Sequence, residues 1–264
     1  MPSNVPVTLE TQISEGINVL ISESDGMRNR DESAIVALHS EISKLQKVNA
    51  REAFVRFGSL AALCGDVEGT LANFKKALML PDQENTNNEY WTSLINIGLF
   101  AKAKEIGVWL LEPRRGFFLN LWRRALFTGL LLETWRLLPE AKKVFPELAN
   151  EDFSQLASTV DVMKKCGLKD QDVISVLDLM GEIQRAHRIM FHGKLASQIK
   201  VMHPPEDSAY LYLVVPVDVA SEELRNMNRE LAHAVVTSLE QGRFPQGISA
   251  AFAKAFPVQA RIAA

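Results

Sequence analysis

Residues 52–82 read EAFVRFGSLAALCGDVEGTLANFKKALMLPD. Phe54, Phe57, Gly58 and Ala61 lead into a Gly65-Asp66 pair, and Val67, Thr70, Phe74, Ala77, Leu78 and Leu80 follow it. Large apolar residues recur at three- and four-residue steps on both sides of a turn, the pattern of two antiparallel amphipathic helices. Gly65 suits the left-handed conformation that closes a first helix, and the Asp66 carboxylate suits the cap of a second. Gly58 and Ala77 are small enough to let the helices approach closely, and Pro81 stops the second one.

This order resembles the tetratricopeptide family, whose 34-residue unit joins two helices through a Gly-Asp turn and ends at a Pro. Ala61 and Thr70 stand where that family usually has an aromatic and an Ala, and Pro81-Asp82 inverts its usual ending. Tyr90, Trp91, Leu94, Gly98, Phe100, Ala103 and Leu110 can be laid over the same template, with Gly98 falling 33 residues after Gly65. Gly129 and Gly167 continue the rhythm at 31 and 38 residues. The resemblance implies a right-handed superhelix of helical hairpins whose concave groove is lined by the first helix of each pair. It would place Glu52, Val55, Arg56, Ser59, Ala62 and Leu63 on that groove, and Asn88, Thr92, Ile95 and Asn96 in the next repeat. Family members that clamp a peptide's terminal carboxylate use Lys and Asn at positions taken here by Val55 and Ser59.

Outward from this stretch, apolar periodicity predicts helices over 8–21, 32–47, 90–97, 101–111, 115–128, 130–144, 152–165 and 170–187, with 82–88 as a polar connector. Pro139 and Pro146 mark a kink and a break. Gly116 to Leu138 is the most apolar segment, but Arg123, Arg124, Glu133 and Arg136 interrupt it. An Arg at a bilayer centre costs about 2.5–3.5 kcal/mol, so a buried helical hairpin is expected and no membrane partner. The first eight residues lack the basic-then-apolar pattern of a secretion signal.

After His187 the character changes. Ile199–His203 and Ala209–Val217 are rich in β-branched and aromatic residues and flank a Pro204-Pro205 turn, which predicts a strand pair. Ser221 is placed to cap a helix with the stripe Leu224, Met227, Leu231, Val235 and Leu239, ended by Gly242. Residues 248–256 read as a closing strand. The expected fold class is α+β: a helical-repeat domain over 1–188, then a small domain over 189–264 with an antiparallel sheet, its edge at Ala209–Val217 open to self-association as a homodimer.

The 264 residues are 47% hydrophobic and carry a net charge of −3, giving no global reason to expect nucleic acid or an acidic membrane. Two cysteines about a hundred residues apart fit a reducing cytoplasm. Neither metal-ligand spacing nor a phosphate loop, dinucleotide fingerprint or nucleophile elbow occurs, so no metal, cofactor or catalytic residue is assigned. Two cationic groups remain. Arg185, His187, Arg188, His192 and Lys194 cluster at the helix-to-strand junction, where neighbouring cations would depress a histidine's pKa and an anion could bind. Arg114 and Arg115, with Arg123 and Arg124 beside Trp122, could hold RNA or single-stranded DNA. The leading expectation is a non-catalytic interaction protein or adaptor that receives a protein segment in its groove, with the C-terminal domain supplying a second contact. A nucleic-acid-binding regulator and an enzyme with a site between domains are the alternatives.

Overall fold

The computed structural model describes residues 8–23, 26–81, 83–191, 197–204 and 208–255. Among them the chain is mostly helical, with eleven α-helices and one small three-stranded sheet near the C-terminus, an α+β chain. It divides into two compact units: residues up to Ile97 together with 188–192, and residues 98–187 together with those from 193 onward.

The first unit holds α1 (Leu9–Glu23), α2 (Ser33–Leu45), α3 (Ala50–Leu63), α4 (Val67–Leu78) and α5 (Gln83–Asn96). The segment expected to be a connector, 82–88, is instead largely the start of α5: its residues are polar, but Gln, Glu and Asn without Gly or Pro do not stop a helix. The turn between α3 and α4 forms as expected, with Gly65 at φ +73° and Asp66 Oδ1 accepting from Gly69 N at 2.9 Å. Asn49 caps α3 in the same way through Glu52 N at 3.1 Å. Phe74 fills the space over Gly58, where a Cβ would lie 2.6 Å from its ring, and stacks on Tyr90 at 4.8 Å. Ile13, Ile17, Ile35, Ile42, Leu60 and Leu63 form the main core of this unit. The chain returns to it at 188–191, where Met27 N donates to Arg188 O at 2.7 Å and Phe191 N to Asn96 O at 2.8 Å.

The second unit holds α6 (Phe100–Leu111), α7 (Phe118–Phe127), α8 (Leu131–Val144), α9 (Ser154–Lys165), α10 (Asp170–Ala186) and the sheet. Helices α7 and α8 are the expected hairpin, turning at Gly129 with φ +80°. No described helix is long and apolar enough to cross a membrane. Helix α10 organises the unit: Asp178 accepts from Phe100 N (2.7 Å) and Ala101 N (3.1 Å) at the start of α6. Asp170 accepts from Leu131 N (3.1 Å), Leu132 N (2.8 Å) and Glu133 N (3.0 Å) at the start of α8. The two carboxylates are eight residues apart, about 12 Å along the helix. Burial pushes both carboxyls above their usual range, and the amide bonds they accept offset this only in part. Gly98 and Gly181 meet backbone to backbone, since a Cβ on Gly181 would lie 2.2 Å from Gly98 O.

Strands β1 (Gln198–Met202), β2 (Tyr210–Val217) and β3 (Ile248–Lys254) form a sheet in the order β1-β2-β3, with α11 (Ser221–Glu240) between β2 and β3. The sheet is mixed, not antiparallel: β1 and β2 are antiparallel, β2 and β3 parallel. A 20-residue helix spans about 30 Å, so it carries the chain back to the starting end of β2. β2 is therefore central, and the edge expected at Ala209–Val217 does not exist. Pro216 is accommodated because β1 pairs no further than Val214. Val217 O accepts from Ala255 N on the β3 side, so by alternation Pro216 faces the side β1 has vacated. Ser221 is the first helical residue of α11; Ala220 stands at the cap without a side-chain bond. Met227 and Leu231 of the stripe are buried, whereas Leu239 is exposed.

Candidate functional site

In the first unit α1, α3 and α5 lie side by side around a cleft of about 160 Å³. Of the ten residues assigned to a groove, Arg56, Ser59, Ala62 and Leu63 of α3 and Thr92 and Asn96 of α5 line this cleft. Glu52 lies behind Arg56 as its ion-pair partner, and Val55 turns away to pack on Phe74 and Ala77. Ile95 is buried, and Asn88 accepts from Thr92 Oγ1 through its backbone oxygen at 3.0 Å. Sequence reading missed the third wall, Ser14, Ile17, Asn18 and Ile21 of α1, together with Glu89, Ser93 and Met190. The apolar stripe of α1 was legible, but nothing in it points to α3, some forty residues on.

The side chain of Arg56 is only 14% exposed, and its guanidinium sits between Glu52 and, at 3.8 Å, Glu89. Glu52 is buried and Glu89 is 43% exposed, so the group as a whole carries one negative charge with Glu89 at its open end. Two polar atoms of lining residues are buried without a hydrogen-bond partner among the described residues, Arg56 Nε and Ser59 Oγ. Buried polar groups are normally met, and each one left unmet costs on the order of 1–3 kcal/mol. A donor and a hydroxyl together suit the carbonyl oxygen of a peptide group or of a polar side chain. The volume is below the roughly 300–1,000 Å³ of sites that enclose small molecules, so the cleft suits a single side chain or a chain end.

Each described member of the junction cluster is engaged by protein groups. Arg185 Nη1 donates to Gly98 O at 2.7 Å, and Arg188 Nη2 donates to Arg28 O at 2.8 Å and Asn29 Oδ1 at 3.3 Å. His192 and Lys194 fall outside the described residues. His187 Nδ1 bonds Glu223, and its Nε2 lies 3.1 Å from both Glu230 oxygens, tying α10 to α11. Burial lowers its pKa, but the two glutamates outweigh that and raise it above the ordinary value, opposite to the depression expected from neighbouring cations. With both ring nitrogens taken, the imidazole has none left to activate a nucleophile. The two glutamates bond opposite sides of the ring and cannot share one metal ion with it. Among the described residues no group of three or more His, Cys, Asp or Glu is arranged to hold a metal.

In the other cationic group, Arg114, Arg115 and Arg123 each meet a carboxylate. Arg114 lies 3.6 Å from Glu140, Arg115 lies 3.1 Å from Glu112 and 3.7 Å over Trp109, and Arg123 pairs with Glu151. Trp91 and Trp122 are buried core residues.

Comparisons with protein-family models, curated proteins and solved structures found no match. The chain is thus defined by its own architecture: a helix-rich α+β protein with a small polar cleft between three helices.

Proposed function

We propose that this protein is a non-catalytic interaction protein that receives a segment of a partner protein on the face formed by α1, α3 and α5. In this reading the three helices are the first members of successive pairs in a tetratricopeptide-like superhelix, and the face they line is its concave side. The observation that carries the proposal is the pair of buried polar atoms on α3, Arg56 Nε and Ser59 Oγ, that lack a partner beside the cleft, on a helix assigned to a groove from sequence. The partner's main chain or a polar side chain supplies their missing bonds, and half-exposed Glu89 favours a neutral or cationic group over an anionic one. Carboxylate matching at Arg114, Arg115 and Arg123 cancels the field that a polyanion would need, which disfavours nucleic acid.

The test is capture of partners on the tagged full-length chain, comparing native protein with Asn18→Trp and Asn96→Asp. Asn18 is exposed on α1, so a large ring there fills the cleft without entering the core. A stoichiometric protein lost from both variants supports the proposal. Loss of no partner from either variant, or nucleic acid recovered instead, overturns it.

A further inference from the structure

The two edges of the sheet are finished differently. On β3 the Asn228 side chain acts as a surrogate strand: Phe252 N donates to its Oδ1 and its Nδ2 donates to Phe252 O, both at 2.9 Å. This takes up the outward backbone groups of Phe252 on that edge. On the opposite side, Leu211 N donates to Gly247 O and so faces β3; its partner Val201 in β1 therefore turns its polar groups outward, as does Ile199 two residues earlier. Ile199 O accepts only a long bond, 3.3 Å, from Gln155 Nε2. Among the described residues nothing meets Ile199 N–H or either backbone group of Val201.

A cleft of about 390 Å³ lies beside this edge, with Trp122, Leu126, Phe127 and Leu156 as an apolar floor and Arg123 and Lys200 at its rim. Arg123 is held by Glu151, whereas Lys200 is exposed and meets no carboxylate among the described residues. Asp152, the acid of the lining, is engaged as the cap of α9 through Ser154 N at 2.8 Å.

We propose that the outer edge of β1 receives an extended peptide segment of a partner protein in which apolar and acidic residues alternate. Adding a strand meets the outward groups of Ile199 and Val201 and displaces the weak Gln155 bond. Side chains at period two then drop alternately onto the apolar floor and toward Lys200. The site lies wholly within the second unit, so it stands or falls separately from the cleft between α1, α3 and α5.

The experiment titrates the full chain with a blocked peptide of alternating valine and glutamate, followed by calorimetry and amide resonances. Binding is expected to shift and protect the Ile199 and Val201 amides. It should be abolished when the peptide's strand-pairing amides are N-methylated, and weaken at least about tenfold when lysine replaces glutamate. Val201→Pro removes an outward N–H that β1–β2 pairing does not use, so the variant should fold and fail to bind. Equal binding by the methylated peptide would mark a side-chain or small-molecule pocket and overturn strand addition. So would shifts on another surface, or no binding at millimolar peptide. Should Val201→Pro not fold, the methylated peptide on native protein still decides.

Discussion

Helices α3 and α4 of the first unit are capped by their own neighbours, whereas α6 and α8 of the second are capped by residues far along the chain. Asn49 and Asp66 reach three residues ahead, whereas Asp170 and Asp178 reach back 37–39 and 77–78 residues to the starts of α8 and α6. A local cap stabilises one helix. A distant cap fixes how two helices pack, so its loss is felt across a whole unit. The glycines differ in parallel: Gly58 admits a side chain, Phe74, while Gly98 and Gly181 admit each other's backbone.

The sharpest way to break this comparison is at the backbone contact. Gly181→Ala should cost about 3 kcal/mol, because no flexible group can give way, while Gly58→Ala should cost about 1–2 kcal/mol as Phe74 shifts. Urea unfolding of the two variants checks the order, and equal losses would contradict it. Next come the caps. Asp170→Ala leaves three amides at the start of α8 unmet and should cost about 2–3 kcal/mol, against about 1 kcal/mol for Asp66→Ala. Hydrogen exchange locates each effect: opening should spread from α8 into α10 in the first variant and stay within α4 in the second.

The smallest effect is pH-dependent. The folded-state pKa of His187 is raised, so its contribution is complete below the unfolded value near 6.5 and fades as pH rises through the folded value. Native stability should therefore fall from below pH 6.5 upward by more than that of His187→Gln, and the difference between the two reports this residue alone. Asp170 and Asp178, also raised, titrate in both proteins and cancel in that difference. Parallel profiles would show that the Glu223 and Glu230 bonds carry no weight.

Legibility in the sequence followed locality. The α3–α4 hairpin was readable because Gly65, Asp66, Gly58 and Phe74 lie within seventeen residues, and left-handed Gly98, Gly129 and Gly167 do end helices at the spacing noted. The direction of β3 was not readable, since period two gives a strand its face but not its partner. Whether β3 returns parallel depends on α11 crossing the sheet. Half the lining of the α1–α3–α5 cleft was named from α3 and α5, but the α1 wall is joined to them only by tertiary packing. The partners of the junction residues were not legible for the same reason: Arg185, His187 and Arg188 each bond a group distant in sequence.

The most direct test of the account is partner capture with Asn18→Trp and Asn96→Asp beside Val201→Pro as a second-unit control. The account predicts one stoichiometric protein that the first two variants lose and the third retains through the α1–α3–α5 cleft. The same protein held equally by native chain, Asn18→Trp and Asn96→Asp would contradict the assignment of recognition to that face.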